Sequence, residues 1–176
     1  MGFGTMISDS TGLRIRQLSR ADAPLFRSIR LEGLEKHPTA FTSSFESERL
    51  QPLSRFEDLL DRNFVLGAGN NDRLVGVAGF YVEGTEKTRH RGILWGMHVR
   101  KDARRSGLAR RLIADVLAHA RLHVEEVALG VEAENATAIA CYEQAGFNVT
   151  ARDSRALKIS DRYFDLLQMK IRFAAG

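Results

Sequence analysis

The segment Ile93-Leu94-Trp95-Gly96-Met97-His98-Val99, followed after Arg100–Ala103 by Arg104-Arg105-Ser106-Gly107-Leu108-Ala109, decides how this chain is read. The first part is an apolar, strand-like run. The last part opens an amphipathic helix, in which Leu108, Leu112, Val116 and Ala120, with Ile113 and Leu117, recur on one face. A strand, a glycine-bearing turn and a helix start together make a candidate anion cradle. The first backbone N–H groups of a helix have no intrahelical partner, and the positive end of the helix dipole adds to them. Arginines flank the turn, so a phosphate is the expected guest and a pyrophosphate-bearing cofactor a natural source of one. The lysine-bearing P-loop pattern is absent, and so is a G-x-G-x-x-G repeat.

Toward the N-terminus, Leu13, Ile15 and Leu18 mark a short strand, and Ser19 or Asp22 caps a helix carrying Leu25, Phe26, Ile29 and Leu34. Pro38 ends it. Thr39–Pro52 reads as a loop or a broken helix, and Leu53–Asp61 as a second short helix. Strands Phe64–Ala68 and Leu74–Val82 flank the turn Gly69-Asn70-Asn71-Asp72, and Gly84–Arg91 is a polar turn. Toward the C-terminus, Val127, Leu129 and Val131 alternate as in a strand. Asn135 is a good N-cap for a helix over Ala136–Ala145, with Gly146 just past its end. Phe147–Val149 and Tyr163–Arg172 read as two more strands, joined through Ala156–Ser160. The order β-α-α-β-β-β-α-β-α-β-β predicts a single α/β domain over residues 13–176, with a mixed central sheet of about six to seven strands and about four helices on both faces. Residues 1–12 are expected to form a flexible tail.

Composition narrows the class. With 44% hydrophobic and 27% charged residues in 176, the chain has the balance of a soluble globular domain able to bury a core without disulfides or metals. No apolar run is long enough to span a bilayer, and the N-terminal ten residues lack the pattern of a signal peptide. The single cysteine, and the lack of any Cys/His cluster at ligand spacing, point to a cytoplasmic protein without a metal site. The net charge is +4, with the densest patch at Arg100, Lys101, Arg104, Arg105, Arg110 and Arg111. That patch is either a solvated helix start or a lure for a small anion. No nucleic-acid-reading motif accompanies it.

The cradle and the segment Asn135-Ala136-Thr137-Ala138-Ile139-Ala140-Cys141-Tyr142-Glu143-Gln144-Ala145-Gly146-Phe147, about thirty residues later, together resemble the GNAT superfamily of N-acetyltransferases, in its small bacterial form. Arg104-x-x-Gly107-x-Ala109 matches the cofactor-loop signature Arg/Gln-x-x-Gly-x-Gly/Ala. The later segment matches the pattern Asn…Ala…Tyr…Gly-Phe, and the hairpin Arg73-Leu74-Val75-Gly76 also fits. The resemblance implies an acyltransferase that uses acetyl-CoA as co-substrate. A primary amine of an amino acid, an antibiotic-like small molecule or a protein N-terminus would attack the thioester directly. It implies a pyrophosphate site at Arg104, Arg105, Ser106, Gly107, Leu108, Ala109 and Arg110, and main-chain pairing of Met97, His98 and Val99 with the pantetheine arm. Asn135 and Tyr142 would also touch the cofactor. Longer acyl groups, or a regulatory module that binds acyl-CoA without turnover, are the alternatives. A homodimer is possible; nucleic-acid and membrane partners are not expected.

Asn135 and Tyr142 lie seven positions apart, a rise of about 10 Å and nearly two turns, so they share a helix face. Asn135 is equally a helix cap. Tyr142 is either a core tyrosine or, as the resemblance implies, a phenol that protonates the leaving thiolate. The base is open. Gly92–Val99 carries no carboxylate, and Ile93 stands where some family members place a glutamate. The candidates are Glu32, Glu83 and His98, which strand alternation puts on the face opposite Met97 and Val99. Glu32 could instead hold the substrate ammonium or be an ordinary helix charge. The loop Glu32–Phe45, with Trp95 and Tyr81, is expected to border the acceptor pocket. Cys141 reads as a small packed residue.

Overall fold

A computed structural model describes residues 13–174; the tail expected at 1–12 lies outside them. The chain runs β1 (Arg14–Gln17), α1 (Ala23–Lys36), α2 (Phe45–Arg49), α3 (Leu53–Arg62), β2 (Phe64–Gly69), β3 (Leu74–Val82), β4 (Arg91–Val99), α4 (Leu108–Ala120), β5 (Glu126–Glu132), α5 (Ala136–Gln144), β6 (Asn148–Ile159) and β7 (Arg162–Arg172). The strands form one seven-stranded sheet in the order β1-β2-β3-β4-β5-β7-β6. Every neighbouring pair is antiparallel except β4 and β5. This is the expected α/β fold with a mixed sheet.

Each face of the sheet is covered by the apolar stripe of a helix. On one face α1 and α3 bury Phe26, Ile29, Phe56 and Leu60 against Leu18, Val65, Leu74 and Val77. On the other, α4 lays Leu112, Ile113, Val116 and Leu117 over Ala78, Phe80, Leu94, Val127 and Leu129, a core that continues through Tyr142, Phe147 and Met169. Removing each such large apolar side chain from water is worth about 1.5–3 kcal/mol before entropy is charged against it. The 3-10 turn Arg20–Asp22, which leads into α1, is closed by a capping box: the Ser19 N–H donates to Asp22 at 2.8 Å. Asp22 also takes two bonds from Arg16, at 2.6 and 2.8 Å. The Arg16 bonds hold its carboxyl down at about 2.

Of the two readings of Thr39–Pro52, the broken helix holds: after a 3-10 turn over Pro38–Ala40 comes the short helix α2, whose cap Ser44 accepts from the Ser47 N–H at 3.2 Å. One expectation is corrected: Ala156–Ser160 is not a connection. β6 extends to Ile159 and turns only at Ser160-Asp161. Its run Arg152-Asp153-Ser154-Arg155 shows no apolar alternation because this is an exposed edge strand, held by its ladder to β7 rather than by burial. An irregularity at Asp153–Leu157 is fixed by Asp165, which accepts from the Arg155 N–H and from Arg152 Nε, both at 2.8 Å.

Candidate active site

The sheet is weakest between its parallel strands. β4 pairs with β5 only through Arg91, Gly92 and Ile93, opposite Glu126, Val127 and Ala128. Past Ile93 the strands part, and the main chain of Leu94–Val99 faces no strand on that side. A β-bulge accompanies the parting. Val77 pairs with His98 and Gly79 with Trp95, so two β4 residues, Gly96 and Met97, oppose the single residue Ala78. Gly96 supplies the left-handed conformation the bulge requires, with φ +65°. The extra residue reverses the strand's phase. Trp95 packs on the α1 face, and after the bulge Met97 and Val99 pack on the α4 face while His98 returns to the α1 face. The side chain of His98 therefore lies opposite those of Met97 and Val99.

The cradle follows β4. Gly107 caps α4 in the left-handed region, φ +79°, with no atom within 4 Å of where a Cβ would stand. The Arg111 N–H is the first to bond back, to the Gly107 carbonyl at 3.1 Å, which leaves the N–H groups of Ala109 and Arg110 without intrahelical partners. Ser106 steadies the turn: its hydroxyl donates to the Ala103 carbonyl at 2.7 Å and accepts from the Leu108 N–H at 3.4 Å. The Leu108 side chain is core, so only its main chain borders the cradle. Arg105 and Arg110 stand exposed beside it. Arg104 turns away. Its Nε donates to the Val99 carbonyl at 3.0 Å and its Nη2 to His37 Nε2 at 2.8 Å.

On α5, Asn135 caps the helix, accepting from the Ala138 N–H at 3.1 Å. Tyr142 is buried to 9% exposure and meets Phe147 edge-to-face, with ring centroids 5.8 Å apart. Burial pushes its pKa well above the ordinary tyrosine value, so the phenol stays protonated. No hydrogen bond among the described residues engages its hydroxyl. Cys141 is half-buried against the core, and burial likewise raises its pKa, so it is held as a thiol.

On the α1 face, Glu32 gathers three cationic or titratable neighbours. Lys36 Nζ lies 3.1 Å from Oε1, Arg100 Nε 3.2 Å from Oε2 and His98 Nε2 3.9 Å from Oε1. Burial alone would raise the Glu32 pKa, but these neighbours outweigh it and hold it below the usual range. His98 is buried, its Nε2 makes no hydrogen bond, and burial with the nearby His37 presses its pKa down to about 4. His37 must accept the Arg104 bond at Nε2, because a guanidinium only donates. Its pKa is lowered too, by burial first and then by Arg104 and Lys36.

Glu83 is not brought into this group. It sits at the far end of β4 from the cradle, bonded to Arg91 at 2.6 and 3.2 Å. Tyr81 lies near that end as well, half-exposed opposite Ile93. Trp95 is inside the group, packed edge-on against Phe26 at 6.3 Å. Within Glu32–Phe45, the turn Pro38–Ala40 lies against β5 and β6.

Sequence reading misses Arg30, Glu48 and His37. Arg30 is 8% exposed and bonded by both Nε and Nη2 to Glu48, at 3.0 and 2.7 Å. Its guanidinium lies 4.9 Å from the Phe41 ring centre and 5.8 Å from that of Trp95. The available signal was spacing: Arg30 stands four positions after Phe26, inside the apolar stripe of α1. An isolated glycine within a bulky strand was the corresponding signal for the Gly96 bulge.

A family model described as the acetyltransferase (GNAT) family matches residues 30–147. No curated protein matches the sequence. Among solved structures, a ribosomal-protein-alanine N-acetyltransferase from Brucella melitensis is 28% identical, with a TM-score of 0.74 over 91% of this chain and 99% of that one. A GNAT-family acetyltransferase from Streptococcus pneumoniae has a TM-score of 0.78 at 22% identity, covering 92% of this chain and 99% of that one. The putative acetyltransferase yncA from Salmonella typhimurium, solved with its cofactor acetyl-CoA, has a TM-score of 0.76 at 23% identity, over 93% of this chain and 97% of that one. With its cradle and parted strands inside a match that covers well over half of its length, the chain belongs to the GNAT acetyltransferase family.

Proposed function

We propose that this protein is an acetyl-CoA-dependent N-acetyltransferase acting on a primary amine. One observation carries the reading: the main chain of β4 past Ile93, unpaired on its β5 side, runs into a helix start with free N–H groups, open space over Gly107 and exposed arginines. Those residues fit acetyl-CoA, the cofactor of the yncA structure, which when bound supplies an activated acyl thioester. Main-chain groups of Met97, His98 and Val99 would hold its pantetheine arm as an added strand. The N–H groups of Ala109 and Arg110, with the Arg105 and Arg110 side chains, would hold its pyrophosphate.

The acetyl group passes directly to the amine. Tyr142, kept neutral by burial and with its hydroxyl otherwise unengaged, gives a proton to the departing thiolate. Glu32 stays ionised beside Lys36 and Arg100, which suits it to attract the acceptor's ammonium. The same low pKa makes it a poor proton acceptor, so water in the cleft carries the amine proton away. The name of the Brucella relative, which specifies a protein alanine as acceptor, supports an amine acceptor and includes protein N-termini among the candidates. The test is incubation with acetyl-CoA and a broad amine panel, with released CoA read as free thiol. Thiol release dependent on one or more amines is expected. If acetyl-CoA neither raises the melting temperature nor yields CoA with any amine, the proposal is wrong.

A further inference from the structure

We infer that Arg30 reads the acceptor: its Nη1 donates to a carbonyl oxygen on the carbon next to the reacting amine, so the acceptors are α-amino acyl compounds, either free amino acids or the first residue of a peptide. The inference rests on the acetyl-transfer reading above and names the acceptor class for it. Arg30 is buried and cannot swing. Glu48 holds Nε and Nη2, Phe41 and Trp95 lie against the guanidinium, and both bonds to Glu48 lie in one plane of the fork. That leaves Nη1. It makes no hydrogen bond among the described residues, and it is not one of the sealed, unpartnered nitrogens of the core. It borders the space above Gly96, where an added Cβ would meet Nη1 at 3.7 Å and nothing else within 4 Å. The Gly96 bulge is the point at which β4 has left β5, beside the unpaired main chain assigned to the thioester arm.

Glu32 reaches β4 two residues farther on, at His98. An anion for an ammonium and a fixed donor for an oxygen thus reach one stretch of β4, Nη1 at Gly96 and the Glu32 carboxylate at His98, and they are the two groups that the amine and carbonyl of an α-amino acyl unit call for. A plain amine would leave Nη1 unsatisfied, and a site with an unpaired polar group discriminates against the substrate that fails to pair it.

The test compares kcat/KM of the wild-type enzyme for L-alanine, L-alaninamide and an alanine-first tripeptide with that for isopropylamine, in which a methyl group replaces the carbonyl. A hydrogen bond to a charged donor predicts a preference of about tenfold to a hundredfold for the carbonyl compounds. Arg30→Lys, which keeps the charge and loses the fork, should flatten that preference while the KM for acetyl-CoA stays unchanged. Equilibrium binding of alaninamide and isopropylamine to the wild type loaded with desulfo-CoA should show the same ranking without turnover. Alanine ahead of alaninamide assigns the oxygen to a free carboxylate; alaninamide and tripeptide at least equal to alanine assign it to an N-terminal residue. Either supports the inference. Equal use of isopropylamine overturns it and leaves acetyl transfer standing. No CoA release with any amine, polyamines included, overturns both.

Discussion

Glu48→Ala tests whether the Arg30–Glu48 pair is a structural necessity or an incidental surface contact. The Arg30 side chain is 8% exposed and that of Glu48 17%, so both charges are largely withdrawn from water. Removing the carboxylate strands a buried guanidinium that loses bonds at both Nε and Nη2. Breaking one side of a buried pair costs about 3–5 kcal/mol, and the residual exposure of Glu48 places this case near about 3 kcal/mol. A chain of this size loses about 2–4 °C of melting temperature per kcal/mol, so Glu48→Ala should melt about 6–12 °C below wild type. The assay is thermal and urea unfolding followed by far-UV circular dichroism at pH 7. The double variant Arg30→Met/Glu48→Leu should recover much of the loss, because it leaves no unpaired charge in the same volume. A fall of less than about 2 °C, the scale of an exposed ion pair, would refute the reasoning, as would a double variant no better than the single one.

Three further outcomes follow from the site. Tyr142→Phe should lower kcat for acetyl transfer by about a hundredfold, the usual scale for losing a positioned acid, with the Kd for CoA and the melting temperature unchanged. Full activity in thiol release would remove Tyr142 from the mechanism. Gly107→Val should cost about 1–2 kcal/mol in urea unfolding from its left-handed φ alone, since no neighbour stands in the way, whereas Gly107→Asn should be nearly neutral. Equal losses for the two would show that space, not backbone strain, governs the position. His98 should titrate at about 4 in the folded protein, against about 6.5 in the unfolded chain. The unfolded state then binds the proton first, so this contribution is complete above about pH 6.5 and is lost as pH falls toward about 4. NMR titration of the His98 ring checks it, a folded-state midpoint near 6.5 refutes it, and His98→Gln should abolish that part of the acid-side decline.

Much of the architecture was legible because it is local. Leu108 to Ala120 recur at helical spacing, and Val127 to Val131 alternate, so α4 and β5 declare themselves. The Gly107 turn and the Asn135–Tyr142 spacing do the same for the cradle and the phenol, because both are set by neighbours a few residues away. The bulge was not legible as a change of phase. Simple alternation puts Trp95 on the same face as Met97 and Val99, and only the inserted residue opposite Ala78 sends it to the α1 side with His98. Nor does the sequence announce that Arg30 and Glu48, eighteen positions apart, meet across a segment that reads as a polar loop or broken helix. β6 escaped because hydrophobic periodicity signals burial, and its exposed edge has little to signal.

The three-residue pairing of β4 with β5 also bears on how the molecule holds together when stressed. Across that seam the backbone ladder nearly fails, yet the apolar cluster runs through it unbroken, from Leu66 and Ala78 to Val131, Tyr142 and Met169. The N-terminal four strands and the C-terminal three are therefore welded by side chains rather than by amides. Denaturant should dissolve both halves in one transition, since they share that cluster. Hydrogen exchange should instead divide them, with fast exchange along the inner edges of β4 and β5 and slow exchange in β3 and β7. A chain built this way should open along a seam without unfolding.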